Sequence, residues 1–234
     1  ANICQSTADL GGGYYAAPGS TNEFIGGYSG RCIAADFYSA APDYNLRSFL
    51  GNTATTGGGY YVAAGAGLEV RNHGWIANSA SGDGGGLYNA GATARIVNGI
   101  FFANSSATGD GAGLYNQGSL RLYHNTFNGN EAPGGGGGAI YSSGSLTLNS
   151  TIVYANSASG DGGVFATGTP DQSHNLFFAN SPNNANFTPA SGTLFEDPLL
   201  WGWHSLDVRS PAIDQADPAN WQTGVPPDGL EIDF

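Results

Sequence analysis

The sequence predicts an all-β fold, a right-handed parallel β-helix with about 24–27 residues per coil and a cap at each end. Three observations carry this. Asparagine recurs at Asn52, Asn78, Asn104, Asn130, Asn156 and Asn180, in steps of 26, 26, 26, 26 and 24 residues. Each closes a four-residue phrase of one type, from Phe49-Leu-Gly-Asn through Phe101-Phe-Ala-Asn to Phe177-Phe-Ala-Asn. Between these phrases lie a glycine-rich segment ending in a ring (Gly84-Gly-Gly-Leu-Tyr, Gly136-Gly-Gly-Ala-Ile-Tyr) and a short alternating strand (Ser119-Leu-Arg-Leu, Ser145-Leu-Thr-Leu). Three short β segments per repeat, parted by Gly, Asn, Ser and Asp corners and lacking helical periodicity, make each repeat one turn of a solenoid.

Along the chain, residues 1–48 lack the Asn phrase and read as an N-terminal cap or degenerate first coil, with Gly11-Gly-Gly-Tyr-Tyr echoing the glycine-rich segment. Residues 49–200 carry the repeats. Residues 201–234 change rhythm, gain proline and acid, and read as a capping tail, because an open solenoid end exposes unpaired backbone. Cys4 and Cys32 both precede the repeats, and a disulfide between them would pin the N-terminal cap in an exported protein. The initial Ala and the absence of Met fit a processed, exported chain.

Composition narrows the function. The 234 residues carry 18 acids against six bases, all arginine, for a net charge of −12. Nucleic acid and anionic membrane surfaces are therefore poor partners. No apolar run is long enough to span a bilayer.

Stacking coils about 4.8 Å apart turns aligned positions into ladders. Inward rows are apolar: Leu68, Ala94, Leu120, Leu146; Val70, Ile96, Leu122, Leu148; and Phe49, Trp75, Phe101, Phe127, Val153, Phe177. The six asparagines form a structural amide ladder at a bend. Four outward rows are candidates for function. Tyr61, Tyr88, Tyr115, Tyr141 and Phe165 form an aromatic ladder that stacks on sugar rings, meets another copy, or only stabilises its sheet. Leu50, Ile76, Phe102, Tyr154 and Phe178, with Asn128 interrupting, form an apolar strip that is either covered by residues 1–48 or used in self-association. Glu69, Arg95, Arg121, Thr147 and Asp171 form a charged row, read as a solvated ladder or a shallow anion site for acidic sugars. Asp83, Asp110 and Asp161 share one corner; ordinary Asp-Gly turn chemistry explains them, with Ca²⁺ bridging as a weak alternative and no other cofactor expected.

The segment Gly137-Gly-Ala-Ile-Tyr141, together with the Phe-x-x-Asn phrases, resembles the repeats of polymorphic outer-membrane proteins. The run from Ser143 to Ala158 is similar to the wider class of secreted bacterial right-handed β-helix proteins, and Ser210-Pro-Ala-Ile-Asp to a segment that closes many of them. This resemblance, over about 49–217, implies export and presentation at a cell surface or matrix, often in adhesion.

β-Helices also host polysaccharide lyases and hydrolases, so catalysis must be argued from a site. The chain lacks Lys, and its central coils offer no outward cluster of converging carboxylates: their acids are the isolated Glu69, Glu131 and Asp171 and the corner Asp residues. His73, His124, His174 and His204 show no metal-ligand spacing and read as surface or corner residues. The expectation is a non-enzymatic structural or adhesive protein, secreted or at the cell surface. Its partners would be itself, through solenoid ends or apolar ladders, or surface glycans and proteins. The alternative is a carbohydrate-active β-helix protein.

Overall fold

The structure, a computed structural model, describes residues 3–4, 6–25, 47–202 and 205–216. Its strands build a parallel β-helix of about five turns, with no helix among the described residues. Two six-stranded parallel sheets and one eleven-stranded parallel sheet run along the axis. One small sheet holds Thr53–Thr56, Ser79–Ala80, Ser105–Ser106, Glu131–Ala132 and Ser157–Ala158; the other holds Tyr60–Val62, Leu87–Asn89, Leu114–Asn116, Ile140–Ser142 and Val164–Ala166. The large sheet begins each coil as one long strand, Gly67–Ile76 and Thr93–Phe102, and later splits into two, such as Ser119–Tyr123 and Thr126–Asn128.

Register follows the repeat. Phe101 pairs with Trp75 on one side and Phe127 on the other, and their rings stack at 4.4 Å. All three inward rows are buried and form one continuous core. Aligned coils can share a core this thin because each side chain packs against its own counterpart above and below.

The glycine-rich segment has a two-part cause. Gly57, Gly84, Gly111 and Gly137 sit at φ between 62° and 69°, the left-handed region that an L side chain resists. The next residue, Gly85 for example, lies so close to the following coil that an added Cβ would strike the Ser105 carbonyl.

Residues 7–25 complete a coil of their own. Thr7–Leu10, Tyr14–Ala16 and Thr21–Ile25 pair in parallel with Thr53–Thr56, Tyr60–Val62 and Gly67–Ile76. The echo at Gly11-Gly-Gly-Tyr-Tyr is thus a full solenoid turn. Cys32 and the Cys4 side chain lie outside the described residues, as do His204 and the acids from Asp217 onward. At the other end the strands thin to single bridges at Ser181, Ala185 and Leu194, followed by an antiparallel pair, Leu200–Trp201 with Ser205–Leu206.

Candidate functional site

Each corner has its own chemistry. At the corner after the Phe-x-x-Asn phrases, the side chains of Asn52 through Asn180 are buried and chained. Asn78 Nδ2 donates to Asn104 Oδ1 at 3.0 Å, and Asn104 Nδ2 to Asn130 Oδ1 at 2.9 Å. The same amides bind backbone: Asn104 Nδ2 reaches the Trp75 carbonyl at 2.8 Å, and Asn104 Oδ1 accepts from Asn78 N at 3.0 Å. An amide carries both donor and acceptor, so identical copies satisfy one another.

Two further buried ladders were not anticipated. At one corner Asn89 Nδ2 donates to Asn116 Oδ1 (2.8 Å), and Asn116 Nδ2 to Ser142 Oγ (2.9 Å). Their signal in the sequence is the repeated Leu-Tyr-Asn at 87–89 and 114–116. At the other, Asn125 Oδ1 accepts from Gly99 N at 2.7 Å and Asn175 Oδ1 from Thr151 N at 3.0 Å. It follows a column of left-handed residues, Asn72, Asn98, His124, Ser150 and His174, so His124 and His174 are corner residues as expected. His73 departs from expectation. It is buried in the core, with ring contacts to Phe49 and Trp75 at 4.8 and 5.5 Å, because its position precedes Gly99 in the inward column.

The outer face brings together two features that the sequence kept apart, the aromatic ladder and the Asp corner. Tyr15 adds a sixth ring, so that Tyr15, Tyr61, Tyr88, Tyr115, Tyr141 and Phe165 form one column with centroids 4.8–5.4 Å apart and planes within 10° of parallel. Rings stacked on one another cover each other's faces. The strip therefore offers solvent its edges and hydroxyls, and sugar stacking along its length has no open faces to use. Tyr115, in the middle, is nearly buried, whereas Tyr15 at the end is 46% exposed. Gln117 Nε2 lies 3.4 Å from the Tyr115 hydroxyl.

Asp83 and Asp110 flank this column. Asp83 Oδ1 accepts from Asp110 N at 2.8 Å, and Asp110 Oδ1 from Gly136 N at 2.6 Å, so each carboxylate ties its corner to the next coil. Asp161 accepts instead from Asn183 Nδ2 at 3.0 Å. Burial raises the Asp83 carboxyl; the Asp110 amide opposes this and the Asp110 charge adds to it. Burial, then the neighbouring Tyr115 and Asp83, push Tyr88 up to about 12. Burial and then Asp110 likewise raise Tyr141. Among the described residues no three His, Cys, Asp or Glu side chains converge as a metal site.

The apolar strip requires a correction. Leu50 and Ile76 are 2% exposed yet stand outside the central core cluster, so the N-terminal half of the row is enclosed rather than open to another copy. At the other end Tyr154 and Phe178 pack with Ile152, Leu176, Leu194, Leu206 and Ala212, which places the C-terminal segment over them. The charged row is largely self-answered: Glu69 Oε1 takes Arg95 Nη1 at 2.7 Å and Arg71 Nη2 at 3.0 Å, while the Arg95 guanidinium lies 5.3 Å from the Tyr123 ring centre. In the tail Arg209 binds both oxygens of Asp207, at 2.8 and 3.0 Å, and holds that carboxyl down at about 2.

One hollow of about 250 Å³ opens between Ser145–Asn149 and the corner at 166–171. It exists because the short last coil pairs with this strand only from Thr147 onward, leaving Ser145 and Leu146 without that neighbour. Ser145, Thr147, Thr169 and Asp171 line it, with Leu146 and Pro170.

No family model, no curated protein and no solved structure matches this chain.

Proposed function

We propose that the chain is a non-enzymatic structural or adhesive solenoid, exported and presented outside the cell or on its surface, of the bacterial kind with polymorphic outer-membrane-protein-like repeats. The observation that carries this reading is how the outward side chains are spent. The rings of the tyrosine column cover one another, Glu69 answers Arg95, and Asp83 and Asp110 bind the backbone of the next coil. These groups serve the length and stiffness of a rod. Self-association through the apolar strip loses support, since much of it is covered. A solenoid end keeps support, because Thr7–Leu10 is exposed at all four residues.

A second reading, glycan binding, is favoured by the hydroxyl-lined hollow at Ser145 and Asp171. Purified protein incubated with acidic and neutral polysaccharides tests both readings. The structural reading expects neither unsaturated uronate nor new reducing ends; either product would overturn it. Retention of a glycan without cleavage, lost in Gly168→Trp, would favour the second. Gly168 has nothing within 4 Å of an added Cβ, so this bulk fills the hollow without straining the fold.

A further inference from the structure

The tyrosine column has a chemistry of its own, independent of what the rod binds. Parallel pairing fixes Tyr15 opposite Tyr61, Tyr61 opposite Tyr88, Tyr88 opposite Tyr115 and Tyr115 opposite Tyr141. Each of these four pairs is stacked, with centroids 5.4, 5.2, 4.8 and 5.0 Å apart and planes within 10°. Near-parallel rings at these separations, on residues paired in register, bring the carbons beside each phenol oxygen close to those of the next coil. Holding two reactive groups in this way replaces a bimolecular encounter with a local one.

We propose that this column is an oxidative cross-linking site, at which hydrogen peroxide and a haem peroxidase join tyrosines of neighbouring coils as dityrosine. Each of two phenols gives up one electron and one proton, becoming a phenoxyl radical. The two electrons and two protons reduce one peroxide to two waters. The radicals pair to form one carbon–carbon bond between ring positions beside the oxygens, and each ring moves its displaced hydrogen to oxygen to regain aromaticity. The protein loses two hydrogens per cross-link.

Three observations favour the column over the other tyrosines. Tyr15, 46% exposed, gives an oxidant access to the end of a continuous stack. Stacked neighbours share the electron deficiency of an oxidised ring and pass it inward. Asp83 and Asp110 place negative charge beside Tyr88 and Tyr141, which eases electron removal there. The inner pair, Tyr14 with Tyr60, is stacked just as closely at 5.0 Å, but Tyr60 is fully buried in the core and serves as an internal control.

The test treats dilute full-length protein with peroxidase and peroxide, isolates the monomer, and maps cross-linked peptides by mass spectrometry. The expected result is dityrosine fluorescence in the monomer, a loss of two hydrogens per link, and joined peptides carrying neighbouring column tyrosines: Tyr15 with Tyr61, Tyr61 with Tyr88, Tyr88 with Tyr115, or Tyr115 with Tyr141. Tyr115→Phe preserves the stack while removing two of the four tyrosine pairs, so monomer dityrosine should fall by about half, with the unfolding midpoint little changed. Dityrosine found only between chains, only at tyrosines outside the column, or absent while added free tyrosine couples in the same mixture would each overturn the proposal.

Discussion

Two corners of the coil face the same task, tying one turn to the next, with different side chains. At the Asn52-to-Asn180 corner the group is a neutral amide, enclosed and repeated without a break from Asn52 to Asn180. At the Asp83 corner it is a carboxylate, half-buried and intermittent: Asp83 and Asp110 follow in adjacent coils, and the next turn has Pro133 and glycines instead. An amide donates to its copy on one side and accepts on the other, so a column of amides has no natural end. A carboxylate only accepts. Its copy cannot pair with it, it must find a donor elsewhere, a backbone N–H for Asp83 and Asp110 and the Asn183 amide for Asp161, and each added charge repels the last.

The largest effect expected is from carrying the second chemistry into the first corner. Asn104→Asp places an acceptor against the Trp75 carbonyl and Asn130 Oδ1, both of which now receive the amide's hydrogens. A loss of about 3–5 kcal/mol at neutral pH is expected in urea unfolding, shrinking as acid neutralises the new group. Asn104→Ala deletes the bonds without adding charge, taking the acceptor from Asn78 N and leaving Asn78 Nδ2 with the Phe49 carbonyl alone; about 2–4 kcal/mol should go, with little pH dependence.

At the open corner the effects are smaller and can change sign. The Asp83 carboxyl is raised above 3.8, so the folded state holds this proton more tightly than the unfolded chain. That contribution is complete below pH 3.8 and is lost as pH rises through the raised value. Asp83→Asn keeps an oxygen for Asp110 N and never ionises. It should match the parent below pH 3.8 and exceed it at neutral pH by under about 1 kcal/mol, solvent screening included. Asp161→Ala, which gives up only an exposed bond from Asn183, should move stability by less than about 0.5 kcal/mol. Equal losses at both corners would break the contrast between them.

Much of the fold was legible because the amide column keeps time so well. Asn52 to Asn180 fixed coil length, and the inward rows at Leu120, Leu122 and Phe127 followed from it and are buried. The outward rows were harder. Alternation says that Tyr88 and Tyr115 point away from the core, but not that each ring lies flat on the next. It also treats the residues after each Phe as outward, and at Leu50 and Phe178 other parts of the protein enclose them, a tertiary event that no local period encodes. The buried Asn89–Asn116 and Asn125–Thr151–Asn175 ladders were hidden for another reason. Each changes residue type along its length, so the eye finds no repeated letter where the structure finds a repeated hydrogen bond.

The amide column steps by 26, 26, 26, 26 and 24 residues, whereas the outer rings from Tyr61 to Phe165 step by 27, 27, 26 and 24. Both columns remain straight, so the discrepancy is absorbed between them, at the Asp corner and at the bend after Val62. These bends work as expansion joints: a coil can lengthen there while its sheets stay aligned. A peptide grafted at Gly65, in the bend after Val62, where an added Cβ would meet nothing within 4 Å, should therefore ride on the rod without loosening it, and a scaffold could be lengthened turn by turn while its cargo is varied at that one seam.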